Sequence, residues 1–417
     1  MFGLLRQRNF SLLWFGQLLS LVGDWVLLVA LPFYVYDLTG SALLTGVMWM
    51  VESLPRLLLG SLAGVFVDRW DRRRTMIVAD LTRALILLPL LLVHSREWLW
   101  VIYVVAFLES VISQFFVPAK GAIIPRLVSE KDLIAANSLN AMSDSLTRLI
   151  GPSLGGALLG LLGLASVALF DVASYLISGV LIFLITLPPD PKRDQDKTTK
   201  PASKGKNIWS EWLEGLRLVQ TDRTLAALFL ATALAMLGQG LINVLIVVFV
   251  KDVLHGGALQ FGWMATAQGV GGLVGGLIIG RVGTRLQPSR LITLGLGTAG
   301  FALLAIVNFP SLPLALGLLA LMGIPLMGYL ISGQTLMQTK VTDQYRGRVL
   351  GAYATTVALL MLVGLALAST LGDALGVVPM MNVAAGLYLL AGVVALVMMP
   401  AAEQPVQETA RREIPSG

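Results

Sequence analysis

The sequence predicts an all-α membrane protein of twelve transmembrane helices in two six-helix halves, with both termini cytoplasmic. Three observations carry this expectation. The 417 residues are 56% hydrophobic and 13% charged, with a mean hydropathy of +0.81, whereas an average soluble domain carries about 25% charged residues. Apolar stretches of about 20 residues recur along almost the whole chain, enough at about 1.5 Å per residue to cross a hydrocarbon core of roughly 30 Å. The basic residues, finally, gather in alternate loops.

The spans are expected at about 10–36, 42–67, 75–94, 98–117, 134–162, 165–187, 224–250, 258–280, 289–309, 312–335, 349–372 and 376–400. Pro32, Pro55, Pro89, Pro118, Pro152, Pro325 and Pro379 fall inside or at the ends of these spans, where neighbouring helices satisfy the backbone groups that proline frees. Strand signals are missing. Arg6 and Arg8 lead into an apolar run longer than the core of a cleavable signal, so no signal peptide is expected. The first half is placed at 1–187 and the second at 224–400. A cytoplasmic linker, 188–223, joins them, and a cytoplasmic tail, 401–417, follows. Within the linker, Trp209, Trp212, Leu213, Leu216 and Val219 recur at helical spacing and predict a helix on the membrane surface.

Loop charge sets the orientation, because Lys and Arg collect on the cytoplasmic side. Of 30 basic residues, one side takes Arg96 and Lys251, the spans hold Arg56, Arg83 and Arg148, and the other side takes all the rest. The net charge of +6 thus reports topology rather than a nucleic-acid partner. The chain has no cysteine, and His94 and His255 fall in external loops, so neither a thiolate metal site nor a histidine cluster is expected. No phosphate-binding Gly-Lys-Ser/Thr loop occurs, and no nucleophile, histidine and acid set, so neither an ATP-driven pump nor an enzyme is read. Gly295, Gly297 and Gly300 have dinucleotide-fingerprint spacing but sit in a hydrophobic helix without a preceding strand, so they are read as packing. No metal and no cofactor are expected.

An internal repeat supports two halves. Gly64 to Arg73 follows the second span and a degenerate copy, Gly276 to Arg285, follows the eighth, at an offset of 212. Val128-Ser129-Glu130 answers Val341-Thr342-Asp343 at an offset of 213.

The first copy, Gly64-Val65-Phe66-Val67-Asp68-Arg69-Trp70-Asp71-Arg72-Arg73, resembles the loop signature of the major facilitator superfamily. Small Gly60 and Gly64 allow close helix approach, and Asp68 can cap a facing helix N-terminus. The resemblance implies that this partner is the start of the eleventh helix, near Arg348. Gly64, Asp68, Arg69, Arg72 and Arg73 are therefore read as a cytoplasmic gate, the plainer reading being topology anchors, as for Arg74. Asp80, within about 8 Å of the cytoplasmic end of the third span, is placed with this gate together with Arg83. In the fifth span, Gly151-Pro152-Ser153-Leu154-Gly155-Gly156 resembles the core of the antiporter motif of drug exporters; close packing is the plainer alternative. Phe116 to Lys120, Ile124 to Val128, Ala136 to Leu139, Asp80 to Arg83 and Asp343 to Arg348 resemble the macrolide efflux and siderophore export branch.

Charges inside the spans are the remaining chemistry, at roughly 3 kcal/mol each if they faced lipid. The acids are Asp24, Glu52, Asp80, Glu109, Asp144 and Asp171, the bases Arg56, Arg83 and Arg148, and all lie in the first half. Glu52 with Arg56, Asp80 with Arg83, and Asp144 with Arg148 share helix faces. Asp24 and Glu109 have no base within a turn and are the first candidates for carrying a proton, with Glu52, Asp144 and Arg148 as further members of the coupling site. Asp171 is read as a structural hydrogen-bonding group. The second half offers neutral groups, and Met236, Gln239, Asn243, Met327 and Tyr329 are expected to line its side of a substrate cavity.

The reading that results is a secondary active exporter in the inner (plasma) membrane, acting as a monomer by alternating access. It moves a bulky amphipathic, drug-like small molecule in exchange for protons. A siderophore or lysophospholipid transporter of the same fold is the alternative.

Overall fold

Apolar runs broken by glycine, proline and short polar loops fold into long helices, because in a membrane each backbone polar group must find its partner within its own segment. The computed structural model describes residues 2–67, 69–186, 217, 219, 222–283, 286–341 and 343–399. Within them are twelve helices long and apolar enough to cross a membrane. In the first half these are α1 (Arg8–Thr39), α2 (Ala42–Val67), α3 (Arg72–Leu87), α4 (Leu99–Leu127), α5 (Leu133–Leu162) and α6 (Leu164–Phe183). The second half holds α7 (Arg223–Val248), α8 (Ala258–Val282), α9 (Pro288–Asn308), α10 (Leu312–Lys340), α11 (Asp343–Leu375) and α12 (Val377–Met398).

The differences from expectation have local causes. The third span begins at Arg72, three residues early, because Asp71 caps it by accepting from the Arg74 amide. It tightens into a 3₁₀ segment, Leu88–Leu92, at Pro89, which has no N–H for the α pattern. The fourth helix runs through Pro118 to Leu127 instead of ending at residue 117, which carries Lys120 and Arg126 on a helix rather than in a loop. Of the expected linker, residues 217, 219, 222 and 223 are described, and Val219 is buried beside Leu225, Phe229 and Val341. The tail, Asp68 and the side chains of Arg346 and Arg348 lie outside the described residues.

Helix packing repeats between the halves. In the first, α1 packs on α5 and α6, α2 on α4, and α3 on α4 and α6; in the second, α7 packs on α11 and α12, α8 on α10, and α9 on α10 and α12. Adding six to each label of the first set gives the second. The halves meet through α5 with α8 and α2 with α11, which are exchanged by the same operation. The turns α5–α6 and α11–α12 also correspond, each made by a left-handed glycine, Gly163 at φ 80° and Gly376 at φ 86°. These stand 213 residues apart, the offset of the sequence repeat.

The helix ends define two faces of the bundle. At the basic end, Asn9 donates to the Thr186 carbonyl and Arg223 to the Val397 carbonyl, joining first and last helices of each half. At the far end, Asn308 pairs with Asn382. Large apolar side chains such as Leu85, Phe301 and Leu396 are exposed around the circumference, as a surface solvated by lipid requires.

Candidate functional site

Inside the first half, α1, α3, α4 and α6 bring four acids around one guanidinium. Arg83 on α3 is 2% exposed and donates to Asp80 Oδ1 at 2.5 Å, one turn away on the same helix. Its other terminal nitrogen lies 3.8 Å from Glu109 Oε1 on α4. The guanidinium is stacked between two rings, 4.1 Å from the centroid of Tyr175 and 4.5 Å from that of Phe116, a geometry in which ring quadrupoles add to the attraction of the carboxylates. Tyr175 on α6 then reaches Asp24 Oδ1 on α1 at 2.6 Å and Glu109 Oε1 at 3.1 Å. A turn below, Asp171 accepts from Ser174 at 2.9 Å, and its buried Oδ2 has no hydrogen-bond partner among the described residues.

Donor counting gives this cluster its chemistry. A phenol carries one proton and donates one hydrogen bond. Tyr175 therefore donates to one of Asp24 and Glu109, and its second contact becomes a hydrogen bond when the other carboxyl carries a proton and donates back. The geometry accommodates a proton on either of two acids, on opposite sides of a shared hydroxyl.

Several expected residues stand elsewhere. Asp80 and Arg83, read with the gate, are part of this interior cluster, on the α3 face turned toward α4 and α6 and more than two turns beyond Arg72. Glu109, with no base within a turn of its own helix, has Arg83 of α3 beside it, a cation that spacing along α4 cannot reveal. Glu52 has Glu109, Arg56 and Asp24 as its charged neighbours. Asp144 and Arg148 are exposed; Asp144 stands near Lys120, and Arg148 lies over the Trp25 ring at 5.4 Å. Arg72 donates to the Ala122 carbonyl at 3.4 Å, and Arg73 to the Ile182 carbonyl at 3.1 Å and to that of Phe183. Both thus tie α3 to helices of its own half. Gly64 has open space beside it and Arg69 is exposed. Sequence reasoning missed Tyr175, although it sits four residues after Asp171 on one helix face, and Lys120, which the early end given to the fourth span left in a loop.

The second half encloses a cavity of about 170 Å³, lined by residues of α7, α8, α9, α10 and α12 and closed on one side by Trp25, Leu28 and Val29 of α1 and Trp49 of α2. Of the five residues read as lining a substrate cavity, Gln239 and Asn243 line this one, and Met236, Met327 and Tyr329 are not among its lining residues. Met236 lies a turn below Gln239, toward the basic end. Met327 packs on Gly272 and Gly276 of α8, and Tyr329 is buried with its hydroxyl donating to Thr232 at 3.1 Å. On α10 the cavity is lined instead by Leu319, Met322 and Leu326; Met327 is rotated off that face, and Tyr329 lies on it about two turns beyond Met322, toward the basic end. Three of its polar residues form a chain: Tyr388 donates to Gln239 Oε1 and Gln239 Nε2 to Asn243 Oδ1, both at 2.7 Å.

The halves are joined toward the far end. Lys251 pairs with Asp37, Tyr36 donates to Asp252 at 2.5 Å, and Asp373 accepts from the Ala42 amide at 2.9 Å and the Ser41 hydroxyl at 3.1 Å, capping α2 from the other half. The motif glycines of α5 divide between α1 and this junction. Gly151 and Gly155 face Trp25 and Val26 of α1, and a side chain at Gly156 would enter the α8 backbone at Ala258. Pro152 lies beside Gly262 in the same seam. Ser153 meets Thr266 across it at 2.6 Å.

Comparison with known proteins gives these features a family. The family profile described as transmembrane secretion effector matches residues 1–415. Macrolide efflux protein A of Streptococcus pyogenes is 27% identical over 373 residues, covering 88% of this chain and 90% of that protein. Multidrug efflux pump Tap of Mycolicibacterium fortuitum is 28% identical over 402 residues, covering 92% and 94%. Among solved structures, a bacterial homologue of the iron transporter ferroportin in its inward-facing state aligns with a TM-score of 0.71 at 20% identity, covering 93% of this chain and 98% of that one. The outward-facing state of that homologue gives 0.57. Twelve apolar helices in two equivalent halves, a match across nearly the whole chain and relatives that are themselves transporters lead to one assignment: the chain belongs to the transmembrane secretion effector family of the major facilitator superfamily and is a multi-pass membrane transporter.

Proposed function

We propose that this transporter exports a drug-like small molecule across the plasma membrane in exchange for protons, with the basic end in the cytoplasm and the halves alternating about the cavity. The observation that carries the reading is the single Tyr175 hydroxyl between Asp24 and Glu109, because a proton shared by two acids on different helices is poised to be gained in one arrangement and released in another. The names of the macrolide and multidrug efflux relatives support the class of cargo. The charge bias of the loops supports the orientation. Trp25 links the two sites: it follows Asp24 in the chain and lines the cavity, so a bound molecule touches the residue next to the proton carrier. The far-end contacts correspond to the state open to the cytoplasm.

The test uses proteoliposomes with an imposed pH gradient and a labelled macrolide. Wild type accumulates it against its gradient, whereas Asp24→Asn and Glu109→Gln lose accumulation by tenfold or more and still bind. Accumulation by both single variants and the double variant at the wild-type rate would remove these acids from the coupling site.

A further inference from the structure

Of the polar atoms buried without a partner, one points to a ligand. Trp49 Nε1 on α2 has no acceptor among the described residues, and Trp49 lines the cavity of the second half. An indole N–H is a donor with no acceptor capacity, so only an incoming acceptor satisfies it. Across the cavity, Tyr388 fixes Gln239 and Gln239 fixes Asn243 by occupying its Oδ1, and the Asn243 Nδ2 hydrogens have no acceptor among the described residues. Donor-bearing side chains thus line the space from both halves, Trp49 from the first and Asn243 from the second. No charged side chain is among the lining residues, and the remainder is largely apolar. The acids of the first half, Asp24 beside Trp25 and Glu52 one turn from Trp49, disfavour an anion. A cation without acceptor atoms leaves the indole unsatisfied.

We propose that this cavity binds the neutral, carbonyl- or ether-bearing edge of the cargo, with Trp49 Nε1 and Asn243 Nδ2 as donors to its oxygen atoms. The proposal rests on the exporter reading for its biological meaning and specifies the chemical class that such an exporter takes. A cavity of about 170 Å³ is smaller than the roughly 300–1,000 Å³ of pockets that enclose a whole drug-sized ligand. It therefore holds one acceptor-bearing portion while the remainder extends into the cleft between the halves. Because the donors come from α2 and α7, a bound oxygen bridges the halves.

Camphor and camphane share one compact bicyclic shape and differ by a single carbonyl, so they isolate the acceptor. Binding of each to the full chain in nanodiscs is measured by tryptophan fluorescence and equilibrium dialysis. Wild type is expected to bind camphor about tenfold more tightly than camphane, as one buried hydrogen bond to an otherwise unsatisfied donor allows. Trp49→Phe and Asn243→Leu lower that ratio about fivefold or more, with camphane binding unchanged as the control for an intact cavity. No binding of camphor, equal binding of both probes by wild type, or parallel loss of both in Trp49→Phe would overturn the proposal, the first two without reliance on a variant. Proton-driven macrolide accumulation is measured on the same wild-type preparation. Discrimination without accumulation sinks the exporter reading and leaves the donor site standing, whereas accumulation without discrimination does the reverse.

Discussion

The two halves carry the same contact with different chemistry. In the first, Tyr175 on α6 donates to Asp24 on α1; in the second, Tyr388 on α12 donates to Gln239 on α7. The tyrosines are 213 residues apart, and the acceptors 215, which is also the spacing of Arg8 and Arg223 at the starts of their helices. A last-helix phenol bonded to a first-helix side chain is thus a duplicated element, ending on an acid in one copy and an amide in the other. At the 213 offset, Arg83 corresponds to Leu296 and Glu109 to Met322. Loss of the guanidinium and its partner acid coincides with the open cavity of the second half, while the first half is filled by Arg83 between its two rings. One repeated arrangement thus ends on a cluster of acids around a guanidinium in one half and on a cavity without charged walls in the other.

The largest effect expected is from Arg83→Leu, which strands Asp80 and Glu109 without their cation. Removing one partner of a buried ion pair costs about 3–5 kcal/mol, so the variant should melt far below wild type in a detergent thermal-shift assay; an unchanged melting temperature would mean the acids do not depend on it. Next comes the comparison of the two tyrosines. Each →Phe change removes a hydrogen bond whose loss costs about 1–3 kcal/mol, but the consequences should diverge. Tyr175→Phe is expected to stop gradient-driven transport with probe binding intact, and Tyr388→Phe to weaken probe binding with proton exchange intact. Identical phenotypes would erase the distinction drawn between the halves.

Smaller effects test the far end. Lys251 and Asp37 are 42% and 47% exposed, and an exposed pair is worth at most about 1 kcal/mol. Lys251→Met and Asp373→Asn should each shift the balance between states less than fivefold toward opening at that end. The natural lack of cysteine makes the measurement direct: a single Val29→Cys change, in the cavity wall, is labelled by an impermeant thiol reagent from the far side more quickly in these backgrounds than alone. Labelling rates unaffected even by the double change would show that the seam at Gly156 carries the closure by itself.

Much of the fold was legible because hydrophobic length, loop charge and two nearly equal repeat offsets are properties of single segments. The cluster was legible as a set of costly charges but not as a set of contacts. Spacing along α3 pairs Arg83 with Asp80 correctly, yet it is silent on Glu109 and Tyr175, which reach Arg83 from other helices. Lys120 was obscured by an assumption that a helix stops at Pro118, whereas a helix leaving the membrane continues through proline when its neighbours pack around it. Tyr175 was within reach: extending the 213 offset to α6 and α12 aligns it with Tyr388, and a tyrosine repeated beside a polar first-helix residue is a signal that apolar periodicity hides.

The fixed guanidinium has an electrical consequence. Arg83 is held by two acids and two rings, so in the proposed exchange it is a stationary positive charge while a proton on Asp24 or Glu109 comes and goes. If the cargo entering a cavity without charged walls is neutral, each exchange for one proton carries one net charge across the bilayer. The membrane voltage then drives export alongside the pH difference, contributing about 2.3 kcal/mol per 100 mV for each turnover. Export of a neutral compound should therefore persist when the pH gradient is collapsed and the voltage kept, and should generate a current in a planar bilayer that vanishes with Asp24→Asn.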